Sequence, residues 1–107
     1  MAFIDVDQEN FDAVMGEAFE AGKVVILKFG SQWCEPCHAL ECELEEIDEA
    51  HDDIVILSID CDEESALTEM FGVYELPTMV IFKDKNTPLY HAPGVLLADD
   101  ILQIIRT

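Results

Sequence analysis

Positive charge is what this chain has least of. Five lysines and arginines stand against 24 aspartates and glutamates, a formal charge of −19 in 107 residues. Nucleic-acid binding is excluded on that count, because phosphate contacts draw on Lys and Arg; anionic membrane surfaces are disfavoured for the same reason. Such a field steers toward basic patches on partners, or it reflects solubility or a salty cytoplasm, and a solvated surface is the simpler account. Also missing are a Gly/Ser/Pro-rich linker, an internal repeat and a low-complexity tract. Met1 to Asp5 carry no basic n-region or long apolar h-region, and no window reaches the roughly eighteen continuous apolar residues of a membrane span. The expectation is one soluble, monomeric, cytoplasmic domain over residues 1–107, with no membrane partner. Its 50% hydrophobic residues suffice for a core without staples.

Cysteine is sparse but arranged. Of four, two fall in Trp33-Cys34-Glu35-Pro36-Cys37-His38, between the apolar run Val24 to Phe29 and the acidic segment Glu41 to Glu49. This stretch has the form of a redox dithiol placed where a strand turns into a helix. Two cysteines separated by two residues on a helix's first turn bring their sulfurs within bonding reach, and the turn's unpaired N–H groups stabilise a thiolate at Cys34. Three other chemistries compete. Zinc commonly takes two close ligand pairs, and no second Cys-x-x-Cys exists, although Cys42, Cys61 and His38 could complete a set. Cys34-x-x-Cys37-His38 also matches a c-type haem attachment string, which would require export to an assembly compartment. A structural disulfide over so short a loop removes little entropy from the unfolded chain, so a bond here suits exchange better.

Along the chain, Phe3 to Val6 alternates as a short edge strand. Asp7 can cap a helix through about Ala21, with Phe11, Val14, Met15, Ala18 and Phe19 as its buried stripe and Gly22 as its end. Lys23 to Gly30 predicts a central strand buried on both faces, because Val24-Val25-Ile26-Leu27 shows no alternation and is rich in β-branched residues. A second helix starts near Cys34 with Leu40, Leu44 and Ile47 inward and its carboxylates mostly outward. Ile54 to Ile59 predicts a strand, Ser65 to Phe71 a helix, Met79 to Phe82 a strand, Asp84 to Thr87 a turn, and Leu89 to His91 a short strand. A last helix from about Ala98 packs Leu97, Ile101, Leu102 and Ile105. Strand, helix, strand, helix is a parallel-sheet order.

The apolar strand, Trp33-Cys34-Glu35-Pro36-Cys37, Leu76-Pro77-Thr78 ahead of a strand, and Gly94 after a hairpin together resemble the thioredoxin family along nearly the whole chain. The resemblance implies an α/β thioredoxin fold, a central mixed β-sheet flanked by helices on both faces with the dithiol at the end of the central strand. It also implies a cis bond at Pro77, and a substrate platform of Trp33, Pro36, Leu76, Pro77 and Gly94 on which the Leu76 backbone pairs with an extended substrate. The implied activity is protein-disulfide reduction, with Cys34 as nucleophile and Cys37 as resolving thiol. No cofactor is implied beyond the Cys34–Cys37 dithiol. A thioredoxin reductase would supply electrons, for the chain has no Gly-rich nucleotide fingerprint of its own. A dithiol oxidase or isomerase of the same fold, and a non-catalytic adaptor, are the alternatives.

Departures from the family pattern bear on the chemistry. Glu35 stands where Gly is common, and its carboxylate beside Cys34 disfavours a thiolate. Lys28 stands where the family keeps a buried Asp that assists proton transfer at the second cysteine; an ammonium there favours thiolates, unless it pairs with Glu35 or snorkels to the surface. Cys42 occupies the place of a helix-kinking Pro and, with Cys61, is expected to be a packing residue or free thiol, with regulatory exchange at Cys42 as the sharper alternative. His38 is expected to face solvent, although a cationic form would favour thiolates. Tyr74 and Glu75, near Pro77, are expected to shape partner choice toward basic or polar targets.

Overall fold

In the computed structural model, which describes residues 3–107, the apolar run Val24–Gly30 (β2) occupies the centre of a five-stranded sheet. The elements run β1 (Ile4–Asp5), α1 (Phe11–Glu20), β2, α2 (Glu35–Ala50), β3 (Ile54–Asp60), α3 (Ser65–Met70), β4 (Thr78–Asp84), β5 (Thr87–Pro93) and α4 (Ala98–Arg106). Spatially the order is β1-β3-β2-β4-β5, with β1 and β2 parallel to β3, and β4 antiparallel to both β2 and β5. The mixed sheet expected from the family resemblance is present. The parallel half follows from the helical crossover α2 between β2 and β3, and the antiparallel half from the tight turn between β4 and β5.

The strand's lack of alternation is explained by two cores. On one face Ile26, Ile54, Ile56, Met79 and Ile81 meet Leu40, Leu44 and Ile47 of α2 and Ala98, Ile101 and Ile105 of α4. On the other, Val25, Leu27, Phe29, Leu57, Ile59 and Val80 meet Phe11 and Ala18 of α1 and Leu67 of α3. Phe71 closes this second core edge-on to Phe11 and tilted against Phe29, with ring centroids 5.8 and 5.5 Å away. At about 25 cal/mol per Å² of apolar area removed from water, such double burial is what makes β2 the rigid element.

Three sequence expectations need correction. Helix α1 starts at Phe11, four residues beyond Asp7, because the Asp7 carboxylate accepts the Glu9 and Asn10 N–H groups in a preceding turn, leaving Asn10 at the N-cap. Strand β5 runs the full length of β4, since the two close as a hairpin and Thr87, Pro88, Ala92 and Pro93 all find partners along β4. Leu97 is exposed: it is the N-cap of α4, in extended conformation, so it lies off the helical stripe, and Ala98 takes its place in the core. Gly22 does end α1, at φ +74°, a conformation costly to residues with a Cβ. No helix of the described residues is long and apolar enough to cross a membrane.

Candidate active site

Where β2 ends at Gly30, a short turn leads into α2. The Cys34 N–H donates to the Ser31 carbonyl at 3.3 Å and the Trp33 N–H to Ser31 Oγ at 3.1 Å, which sets the chain's exit from the sheet. Cys34 is the N-cap of α2. Its sulfur accepts the Cys37 N–H at 3.2 Å, the role a serine or aspartate oxygen plays at ordinary helix starts. Pro36 fits the first turn, where its missing N–H has no intrahelical partner to lose. Cys34 and Cys37 are joined as a disulfide with Cα atoms 5.3 Å apart. Their environments differ: Cys34 is partly open to solvent, whereas Cys37, one turn in, is fully buried. The outer sulfur is therefore the one a partner can reach.

Register gathers the segments that flank β4 and β5. Phe29 of β2 stands opposite Thr78 of β4, and Thr78 opposite Pro93 of β5, so the segments before β4 and after β5 come to the same sheet end as the dithiol. Leu76–Pro77 is cis, and the Gly94 N–H donates to the Pro77 carbonyl at 2.8 Å. Gly94 adopts φ +111°, which a Cβ would strain. Trp33 is 82% exposed and Tyr74 87%, while Leu76 is half-buried and Pro77 buried. Large apolar groups displayed this openly at one end of a molecule are suited to contact with another protein.

Lys28 neither snorkels nor pairs with Glu35. It is 4% exposed, faces α2, and its Nζ contacts Glu41 Oε2 at 2.5 Å, while Glu35 lies exposed on the helix surface. A Cβ placed on Gly30 would stand 3.2 Å from Cys37 Sγ and 3.3 Å from Lys28 Nζ, so ammonium and inner sulfur flank one small space. Burial alone would raise the Glu41 pKa, but the hydrogen bond and charge of Lys28, with a smaller share from His38, hold the carboxyl below its usual range. His38 Nδ1 lies 3.4 Å from the other Glu41 oxygen and Nε2 3.2 Å from the Gln32 carbonyl, with the ring largely in solvent. Glu41 was not singled out from sequence, being one outward carboxylate among many. The available signal was Lys28 itself: an ammonium in a strand covered on both faces demands a counter-charge from the helix above it.

Lys28 and Glu41 open onto a cleft of about 400 Å³, also lined by Asp5, Asp7, Asp60 and Glu64. The remaining cysteines stand apart. Cys42 is exposed on α2, and Cys61, after β3, is half-buried against the α1 and α3 core, where burial first of all pushes its thiol pKa up. Among the described residues no three His, Cys, Asp or Glu side chains gather as a metal-holding group.

Comparison with known proteins accords with this geometry. The thioredoxin family model matches residues 2–107. Thioredoxin H5 of Oryza sativa subsp. japonica is 38% identical over 80 residues, 75% of this chain and 59% of that protein, so the match spans less than two thirds of the relative's length. The crystal structure of chloroplastic thioredoxin z superposes with a TM-score of 0.85 at 30% identity, covering 98% of this chain and 92% of the other. A chain in the crystal structure of the complex of ferredoxin:thioredoxin reductase and thioredoxin f2 superposes at 0.81 and 27% identity, covering 96% and 91%. With a cis-proline ahead of β4, a bonded cysteine pair at the start of the helix that follows the central strand, and the family model matched over residues 2–107, this chain belongs to the thioredoxin family.

Proposed function

We propose that this chain is a thiol–disulfide oxidoreductase that reduces protein disulfides. The observation that carries it is the asymmetry of the pair: an accessible sulfur at a helix N-terminus, bonded to a sealed one a turn deeper. In the reduced protein, the Cys34 thiolate attacks a substrate disulfide, forming a mixed disulfide and expelling one substrate thiolate, which takes up a proton. Cys37 then loses its proton, attacks Cys34 Sγ and releases the second substrate thiolate. The substrate gains two electrons and two protons, and the enzyme is left as the Cys34–Cys37 disulfide. Trp33, Pro36, Leu76, Pro77 and Gly94 hold the substrate segment, and Glu35 raises the cost of the Cys34 thiolate.

Two electrons must return from a partner, and the likeness to a thioredoxin held with its reductase supports a reductase in that role. The dithiol itself is the only redox group the cycle uses. We place the chain in the cytoplasm, as a monomer and one functional domain, where thiols are kept reduced.

The test is capture and titration. Cys37→Ser should accumulate a mixed disulfide with a model protein disulfide, and Cys34→Ser should not. Fluorescence of the lone Trp33 against a dithiothreitol series should show one two-electron transition at strongly reducing potential. A markedly more oxidising midpoint would transfer the assignment to an oxidase or isomerase, and no transition would leave an adaptor.

A further inference from the structure

We infer that the ion pair of buried Lys28 with the half-exposed Glu41 sets the acidity of the resolving thiol, with Lys28 as the positive charge that receives the Cys37 thiolate and Glu41 as the group that limits it. The inference rests on the reading of Cys37 as the resolving thiol and assigns a positioning pair to it.

A thiolate at Cys37 has no access to water, since the residue is fully buried. An uncompensated anion there would cost more than the exchange step can bear, so a partner charge is needed. Lys28 is the one lysine or arginine among the described residues that is buried, and its Nζ and Cys37 Sγ both lie within about 3.3 Å of the Cβ position of Gly30. The two are therefore no farther apart than those distances combined, with no side chain from Gly30 between them. At such a separation and an effective dielectric near 20, a unit charge changes an acid constant by the order of tenfold to a hundredfold.

Glu41 works against this. Its carboxylate contacts Lys28 directly and neutralises part of the charge that Cys37 would meet. The other charged groups about the site are His38 on α2 and the cleft's Asp5, Asp7, Asp60, Glu63 and Glu64. All of these carboxylates act in the same sense as Glu41, which makes Lys28 the cation that counters them. In the resolving step the new S–S bond forms from Cys37 to Cys34 Sγ as the bond from Cys34 to the substrate sulfur breaks, and the proton that Cys37 gives up ends on the departing substrate thiolate. Lys28 touches no substrate; it acts through the stability of the attacking sulfur.

The experiment reads Cys37 alone. Thiolate absorbance is followed against pH in Cys34→Ser, with the Cys34→Ser/Cys37→Ser chain as the blank, so that Cys42 and Cys61 cancel. Lys28→Met in this background should make Cys37 at least tenfold less acidic, and Glu41→Gln should make it more acidic. Opposite signs from the two halves of one ion pair are what a merely structural pair does not give. Lys28→Arg, which keeps the charge, should restore most of the effect, and circular dichroism confirms that each variant is folded. An unchanged midpoint in both Lys28→Met and Glu41→Gln, or a shift of the same sign in both, overturns the proposal. Failure of the underlying reading is a different result: it appears as no mixed disulfide captured by Cys37→Ser.

Discussion

The two faces of β2 are built from one apolar stretch but do different things. Toward α1 and α3 the strand presents Val25, Leu27 and Phe29, all fully buried in an apolar core. Toward α2 it presents Ile26, then Lys28, then Gly30: apolar at one end, charged in the middle, bare beneath the dithiol. The first face stabilises. The second gives up a large side chain and accepts a buried ammonium, whose desolvation its ion pair with the half-exposed Glu41 must offset, directly under the reacting sulfurs. Placing the polar departure on the covered face of a strand whose reverse is fully packed lets the backbone stay rigid while the site holds a charge.

Substitutions on the two faces should separate these roles. Phe29→Ala removes a buried ring and should cost about 3–5 kcal/mol in urea unfolding, while the folded fraction keeps its exchange rate. A comparable loss of activity per folded molecule would break the division between faces. On the other face, Glu41→Gln should cost about 1–3 kcal/mol, because it leaves the Lys28 ammonium buried with a weaker partner. Lys28→Met should lie within about 1 kcal/mol of the parent, since it removes the buried charge and leaves Glu41 partly in water.

Gly30→Ala adds one methyl between Cys37 and Lys28 and should cost on the order of 1 kcal/mol, with a larger fractional effect on resolution than on stability. Acid titration gives a further comparison. The Glu41 carboxyl is held below its usual 4.5 in the folded chain, so the unfolded chain binds the proton more readily. Its stabilising contribution is complete above that usual value and is lost as pH falls through the folded one. Melting temperature followed from neutral pH downward should show this loss in the parent and a flatter limb in Lys28→Met. The smallest effect is at the free thiols. Burial raises the Cys61 pKa, and Cys42 is exposed, so iodoacetamide at neutral pH should modify Cys42 first.

Much of this was legible in the chain because the signals are local. A short unalternating run rich in β-branched residues reads as a doubly covered strand, Leu40, Leu44 and Ile47 recur at helical spacing, and Cys34-Glu35-Pro36-Cys37 places two sulfurs within one turn. The misjudged features were those whose partner lies far along the chain or around a turn. Leu97 has the helical spacing of a core residue but precedes the helix. The length of β5 depends on β4, which supplies its ladder. Glu43 was read as one more solvated carboxylate, yet its Oε1 accepts the Ala98 N–H at 2.8 Å and caps α4 from 55 residues away.

What the sequence by itself determined is the kind of chemistry: a dithiol at a helix start, a proline ahead of a strand, and a net charge that turns away nucleic acid. These depend on residue type and near spacing, which the chain carries along its length. Which carboxylate Lys28 meets was decided by tertiary structure alone. From sequence, Glu35 is the acid beside the reacting cysteine, but the helix turns it to solvent and brings Glu41, two turns on, over the strand. A charge that cannot reach water takes the counter-ion that packing sets above it, and packing is a property of the whole fold.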